Sequence, residues 1–222
     1  MDTDIVVLIL TAQGHPWDIL EAGIRATWYK KADGIDIIFY YGSSEITYFE
    51  GDRLFLHCDD GYSCIGQKTI MAFEQVLERY PSIKYVFRTN QSSYVRLDKL
   101  KEVASNFVGN RVYSGLVGVH AGISFASGCG YFISKDLMQL LIANKDKLEY
   151  SRLDDVCFSK FLTAQGVKII PSKRFDVSSI EHLNSLKFED IKDYFHFRCK
   201  QEDDRNKDVI IMKKIHQLLG GV

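Results

Sequence analysis

DIVVLILTAQGHP, Asp4 to Pro16, reads as a buried strand followed by its exit turn. Asp4 to Thr11 is an almost unbroken aliphatic run, the pattern of a strand covered on both faces, and Ala12 to Pro16 then breaks it with turn-forming residues. Such a strand belongs in the middle of a sheet flanked by helices, where ligands bind beyond the carboxyl ends of the strands.

The rest of the chain continues that pattern. Trp17 to Tyr29 is helical in spacing, and Ile35 to Tyr41 is a second apolar run stopped by Gly42 and two serines. Arg53 to Cys58 reads as a short strand. Within Gly66 to Arg79, Ile70, Phe73, Val76 and Leu77 share one helical face, and Pro81 closes the helix. Ile83 to Arg88 is a strand that runs into the polar segment Thr89 to Ser93. Then come a helix over Leu97 to Phe107, a strand over Arg111 to Val119 and a glycine-broken strand over Ser124 to Ile133. Ser134 is placed to cap a helix over Lys135 to Asn144, and a further helix covers Asp155 to Gln165. Val167 to Pro171 reads as a last core strand, Lys200 to Lys207 as a solvated charged run, and Asp208 to Leu219 as a final helix. The alternation predicts an α/β fold with a mostly parallel central sheet. No repeat or linker divides the chain, so one domain, 1–222, is expected.

Composition narrows the partners. The 222 residues are 46% apolar and 26% charged, with a net charge of -1, so no overall field draws the chain to nucleic acid or an anionic membrane. An anionic ligand needs a local cluster of cations. Five cysteines without CxxC spacing predict neither a zinc site nor a complete disulfide framework. No run approaches the ~20 apolar residues of a membrane span. The apolar run near the N-terminus lacks the flanks of a signal peptide, and a cytoplasmic protein is expected.

Several short blocks carry chemistry. They are IRATW (Ile24 to Trp28), DDGY (Asp59 to Tyr62) followed by Lys68 and Thr69, and YVFRTNQSSYV (Tyr85 to Val95). Later come FASGCGYFIS (Phe125 to Ser134), LDDV (Leu153 to Val156) and HFRCK (His196 to Lys200). In order and approximate spacing these resemble the β-1,3-glycosyltransferase family of galactosyl, N-acetylglucosaminyl and Fringe-type enzymes, over roughly Asp4 to Lys200. The resemblance implies a GT-A (Rossmann-like) α/β/α sandwich. It implies a glycosyltransferase of hexosyltransferase type, moving a sugar with inversion from a nucleoside-diphosphate donor, UDP in the family, to a hydroxyl of a glycan or glycoconjugate.

Carried over residue by residue, the resemblance implies a donor site of Thr11, Gln13, Gly14, Arg25, Asp60, Lys68, Arg88, Thr89, Asn90, Ser92, His196, Arg198 and Lys200. It implies a sugar and acceptor side of Ser127, Gly128, Gly130 and Asp154, with Asp155 as the general base. The residues support parts of this independently. Glycines let backbone approach a sugar closely, and a carboxylate at a helix start is held as an anion by backbone amides. Asp154 also reads as the N-cap of that helix.

One block departs from the family. Where family members carry three aspartates that hold a divalent cation, this chain has Asn90, Gln91 and Ser92. Hard cations prefer oxygen anions, and neutral side chains forfeit most of the Coulombic attraction. The chain is therefore expected to require no metal, in contrast to the family's Mn²⁺ or Mg²⁺. Another cation must then meet the departing diphosphate. Arg198 and Lys200, with Arg88, are the candidates, since His196, Arg198 and Lys200 alternate and an extended segment points alternate residues the same way.

The competing reading is a catalytically inactive module that binds nucleotide sugars or glycans, motivated by the missing aspartates. An acid at 155 beside an intact SGxGYxxS-like strand favours the enzyme. A kinase-like alternative finds no GxxxxGK[ST] or GxGxxG. The enzyme reading requires Arg25, Thr89, Gly128, Asp155 and His196 to converge on one pocket. Donor sugar stays open among galactose, glucose, N-acetylglucosamine, xylose and rhamnose, and acceptor choice is expected in loops such as Val117 to Ser124.

Overall fold

The computed structural model describes residues 3–221. In chain order its first half comprises β1 (Ile5–Leu10), α1 (Trp17–Arg25), β2 (Ile35–Tyr41), β3 (Tyr48–Glu50), β4 (Arg53–Phe55), α2 (Ile65–Arg79), β5 (Tyr85–Asn90), β6 (Ser93–Val95) and α3 (Leu97–Ser105). There follow β7 (Tyr113–His120), β8 (Ile123–Ser134), α4 (Lys135–Ala143), α5 (Asp154–Ala164), β9 (Ile170–Pro171) and β10 (Phe175–Asp176). The chain closes with α6 (Ile180–Ser185), α7 (Phe188–Ile191), β11 (His196–Arg198) and α8 (Asn206–Leu218).

The aliphatic run of β1 is buried on both faces because parallel strands β2 and β5 flank it and helices cover it above and below. Alternate residues of β1 feed the two cores. Ile5, Val7 and Ile9 join Ile24, Leu97, Leu100 and Ile211 from α1, α3 and α8. Val6 and Leu8 join Ile70, Phe73, Leu137 and Phe158 from α2, α4 and α5. The eight-stranded sheet runs β3-β4-β2-β1-β5-β8-β7-β9, and only β3 and β8 oppose the common direction. This is the expected α/β/α sandwich with a mostly parallel sheet. A second sheet, β10-β11-β6, closes over the end of β5 and brings the C-terminal third to the ligand end of the fold.

Local departures have local causes. The helix expected to reach Tyr29 ends at Arg25, where the Thr27 hydroxyl donates to the Gly23 carbonyl (2.8 Å) and the Trp28 indole leaves to donate to the Ser93 carbonyl (3.0 Å). Ser134 precedes α4 but does not cap it. Its hydroxyl donates to Asp136 (2.6 Å) and accepts from the Val112 amide (3.0 Å). Of Val167 to Pro171 only the two exposed residues of β9 pair, while Val167 is buried after α5. Val117 to Ser124 is a hairpin arm rather than a loop, turned at Ala121 (φ 49°) and Gly122 (φ 77°), the left-handed pair that such hairpins need. No described helix is long and apolar enough to cross a membrane.

Candidate active site

A cleft of about 330 Å³ opens at the carboxyl ends of β1 and β5. Thr11 and Ala12 follow β1, the turn before α2 contributes Asp60 and Tyr62, and β5 leads into Asn90, Gln91 and Ser92. Gly128 and Cys129 of β8, Asp154 and Asp155 of α5, and Arg198, Lys200 and Arg205 complete the lining. Five cationic and three anionic side chains line it, counting Lys68 and Arg88 in its floor, an excess of cations in the lining that the whole chain does not have.

The two floor cations are already engaged. The Lys68 ammonium donates to the Thr11 carbonyl (2.8 Å) and to Asp60, and burial lowers its pKa against the pull of Asp60. Arg88 donates to the Tyr40 hydroxyl (3.1 Å) and the Gly128 carbonyl, and its Nη2 lies 2.8 Å from Asp154 Oδ2, an ion pair off the hydrogen-bond line. Asp154 is the first residue of α5, not its N-cap, which is Leu153. Burial pushes its carboxyl above the ordinary range, with Arg88 pulling the other way. A floor of neutralised pairs leaves Arg198, Lys200 and Arg205 to meet a ligand's charge. Arg198 makes no side-chain ion pair among the described residues, Lys200 pairs with the exposed Glu202 (2.9 Å), and Arg205 pairs with Asp208 (2.9 Å).

Asp155 differs from its neighbour. Its Oδ2 accepts from the Gly128 amide (2.8 Å) and its Oδ1 from the Val156 amide (2.9 Å), and among the described residues it makes no ion pair. The start of α5 favours an anion there. Gly128 makes the approach feasible, since a Cβ at that position would stand 3.1 Å from Asp155 Oδ2 and 3.2 Å from Arg88 Nη1.

Other expected site residues lie elsewhere. Arg25 does not reach the cleft; it is held by Glu21 (2.8 Å) and Asp52 (2.8 Å) over the rings of Tyr29 and Phe39. Gln13 and Gly14 share with it a neighbouring depression that meets the cleft at Ala12. Thr89 is buried and donates to the Cys129 carbonyl (2.7 Å). Ser127 accepts from Arg174 (2.9 Å), and Gly130 packs against the His196 ring. The five residues expected to converge are thus split. Gly128 and Asp155 line the cleft, Thr89 and His196 lie buried behind its lining, and Arg25 stands apart.

His196 does not share a ligand-facing role with Arg198 and Lys200. It is buried, bonded to the Ser93 hydroxyl (3.1 Å), and burial, with the nearby Arg174 charge adding, pushes its imidazole down to about 3. A neutral ring cannot act as a cation. The unfolded chain binds a proton at this ring below its ordinary 6.5, whereas the fold refuses it until about pH 3. Stability from this ring is therefore present above pH 6.5 and is lost as pH falls towards 3, at up to about 1.4 kcal/mol per pH unit. Urea unfolding between pH 7 and 4.5 checks this: His196→Gln flattens the acid limb, and an unchanged slope contradicts the buried neutral ring.

The segment from Asn90 to Ser93 is internally bonded. Asn90 Oδ1 accepts from the Ser92 amide (3.1 Å) and the Ser93 hydroxyl (3.3 Å), Gln91 Nε2 donates to the Trp17 carbonyl (3.1 Å), and the Ser92 hydroxyl accepts from Arg205. These neutral groups, one in contact with a guanidinium, do not fit a divalent cation. Among the described residues no group of three His, Cys, Asp or Glu side chains is arranged to hold a metal ion. Of six buried side-chain atoms there without a hydrogen-bond partner, four belong to cleft residues: those of Arg88 and Asp154 face each other as the ion pair, and Asp60 Oδ2 and Gln91 Oε1 are open to a polar ligand. Sequence reasoning missed Arg205 and Trp17. Arg205 sat in the run read as solvated, and its spacing to Asp208 at the start of a helix was the one available signal.

No protein-family model matches the chain, and no curated protein sequence matches it. Among solved structures it is similar to a glycosyltransferase involved in the glycosylation of the major capsid of PBCV-1, with a TM-score of 0.55. That similarity covers 95% of this chain and 99% of the other at 14% identity, a likeness of fold.

Proposed function

We propose that the chain is an inverting glycosyltransferase that moves a hexose or related sugar from a UDP donor to a hydroxyl of a glycan or glycoconjugate, as a variant of the β-1,3-type family without the metal-binding aspartates. The observation that carries this reading is the pairing of opposites in one cleft: an Asp155 carboxylate bonded to two amides, in a lining shared with Arg198, Lys200 and Arg205. The fold shared with a solved glycosyltransferase supports it.

Nucleotide, diphosphate and sugar fill the cleft between these groups. The acceptor hydroxyl attacks the anomeric carbon opposite the departing nucleotide, and its proton passes to Asp155. The bond from that carbon to the phosphate oxygen breaks, and the electron pair stays on the diphosphate. Two backbone amides orient the Asp155 carboxylate for that proton transfer. Gly128, without a Cβ, lets the Asp155 carboxylate sit against the strand backbone. Arg198, Lys200 and Arg205 stabilise the charge that develops on the leaving diphosphate.

Thermal shift against a panel of nucleotide sugars tests the reading. At a hundred times Kd a UDP-sugar stabilises by about 2.7 kcal/mol, roughly 5–10 °C for a chain of this size, and the shift is expected to be the same in Mn²⁺ and in a chelator. A shift seen only with metal contradicts the metal-free reading; no shift with any nucleotide sugar contradicts the assignment.

A further inference from the structure

We propose that Arg205 takes the place of the missing divalent ion and grips the leaving diphosphate, a role that rests on the glycosyl-transfer reading above. Its guanidinium is bonded to Ser92, the last of the three residues standing where the family's aspartates would be. The group is fixed on several sides. Nε donates to Asp208 Oδ2 (3.0 Å), Nη2 lies 2.9 Å from the same oxygen, and the guanidinium stacks over the Trp17 ring at 5.4 Å. Asp208 is itself fully buried and accepts from the Gln201 amide (2.7 Å). Among the described residues nothing accepts from the two Nη1 hydrogens, and Arg205 lines the cleft. A held guanidinium with a free edge meets developing charge without reorganising.

The other cations fit this role less well. Arg88, unlike Arg205, has every guanidinium nitrogen engaged, by Asp154, Tyr40 and Gly128. Arg198 faces the cleft without a fixing partner, and Lys200 is turned to Glu202. Beside Arg205, Gln91 is 1% exposed, its amide nitrogen tied to the Trp17 carbonyl and its oxygen unpartnered. The same lining thus offers guanidinium hydrogens to a phosphate and an amide oxygen to a hydroxyl. When the sugar–oxygen bond breaks, the electron pair left on the β-phosphate raises its negative charge by one. Arg205 donates hydrogen bonds to that phosphate and keeps its own protons throughout.

Calorimetry with UDP and UMP, each in Mn²⁺ and in chelator, tests the assignment. R205A is compared with wild type and R205A/D208N with D208N, so that a buried carboxylate stripped of its partner does not decide the outcome, and melting curves accompany each variant. Loss of Arg205 is expected to weaken UDP about ten- to a hundredfold and UMP little, with R205K between, and wild-type UDP affinity is expected to ignore Mn²⁺. Equal loss for UDP and UMP, no loss for either, or a wild-type UDP affinity that rises tenfold with Mn²⁺ overturns the role of Arg205 and leaves glycosyl transfer standing. Wild type binding neither nucleotide overturns both.

Discussion

Asp155→Asn is expected to lower kcat for sugar transfer by about 10³-fold while UDP affinity changes little, because general-base catalysis contributes about 10²–10⁴ and the amide cannot take the acceptor's proton. The substitution is nearly isosteric but not silent in the fold. Both carboxylate oxygens accept from amides, Gly128 on one side and Val156 on the other, and an asparagine satisfies only one of them. About 1 kcal/mol of stability should go with the second bond. Steady-state kinetics with UDP release, alongside a melting curve, separate the two effects. Turnover surviving at more than a tenth of wild type removes Asp155 from the chemistry. Wild type that binds UDP-sugar and never releases UDP returns the chain to the inactive-module reading.

Gly130→Ala is expected to cost about 3 kcal/mol, at the upper end of overpacking effects. A Cβ there would stand 2.2 Å from His196 Cε1 and 2.7 Å from its Nδ1. The ring has little room to yield. It is wedged against Phe87 and Phe195, with ring centroids 5.3 and 6.0 Å away, and bonded to Ser93. Strand β8 is itself pinned at Gly130 by its register with Thr89 in β5. Gly61→Ala serves as the control, since its added carbon meets only the Ser63 hydroxyl at 4.0 Å, and it should change stability by less than about 0.5 kcal/mol. Urea unfolding of the two variants decides; equal midpoints mean that the Gly130–His196 contact is not as tight as described.

The contrast between those glycines marks what the sequence could and could not reveal. The central strands were legible because β1 carries a continuous aliphatic run and β2 an apolar one broken only by Asp36, and a run buried on both faces has few other readings. The glycine-rich strand and the two adjacent acids of α5 were legible as a unit because their spacing is local, and they meet in the cleft lining. Depth was not. Alternation along β11 places His196 and Arg198 on the same side of a strand, yet one ring is buried against Gly130 while the guanidinium reaches the cleft. That outcome depends on strand β8, about 70 residues away in the chain.

Charge was the least legible property. Arg25, beside Trp28 in a recognisable block, looked like a ligand residue, but Glu21 one turn earlier and Asp52 across the sheet hold it in a structural ion pair. Arg205 looked like solvated surface, and its partner Ser92 lies 113 residues earlier. Whether a lone arginine is a surface charge or a phosphate ligand depends on which distant backbone folds beside it, and no short-range pattern encodes that. The same holds for β3 and β9, short edge strands whose pairing comes from their neighbours.

A crystal structure of the protein with a nucleoside-diphosphate sugar tests the central claim most directly. The account predicts the diphosphate within hydrogen-bond distance of Arg198 or Arg205 and the anomeric carbon on the side of the cleft where Gly128 and Asp155 meet, with no metal bridging the phosphates. A nucleotide seated outside this cleft, or a sugar lying away from Asp155, would contradict it.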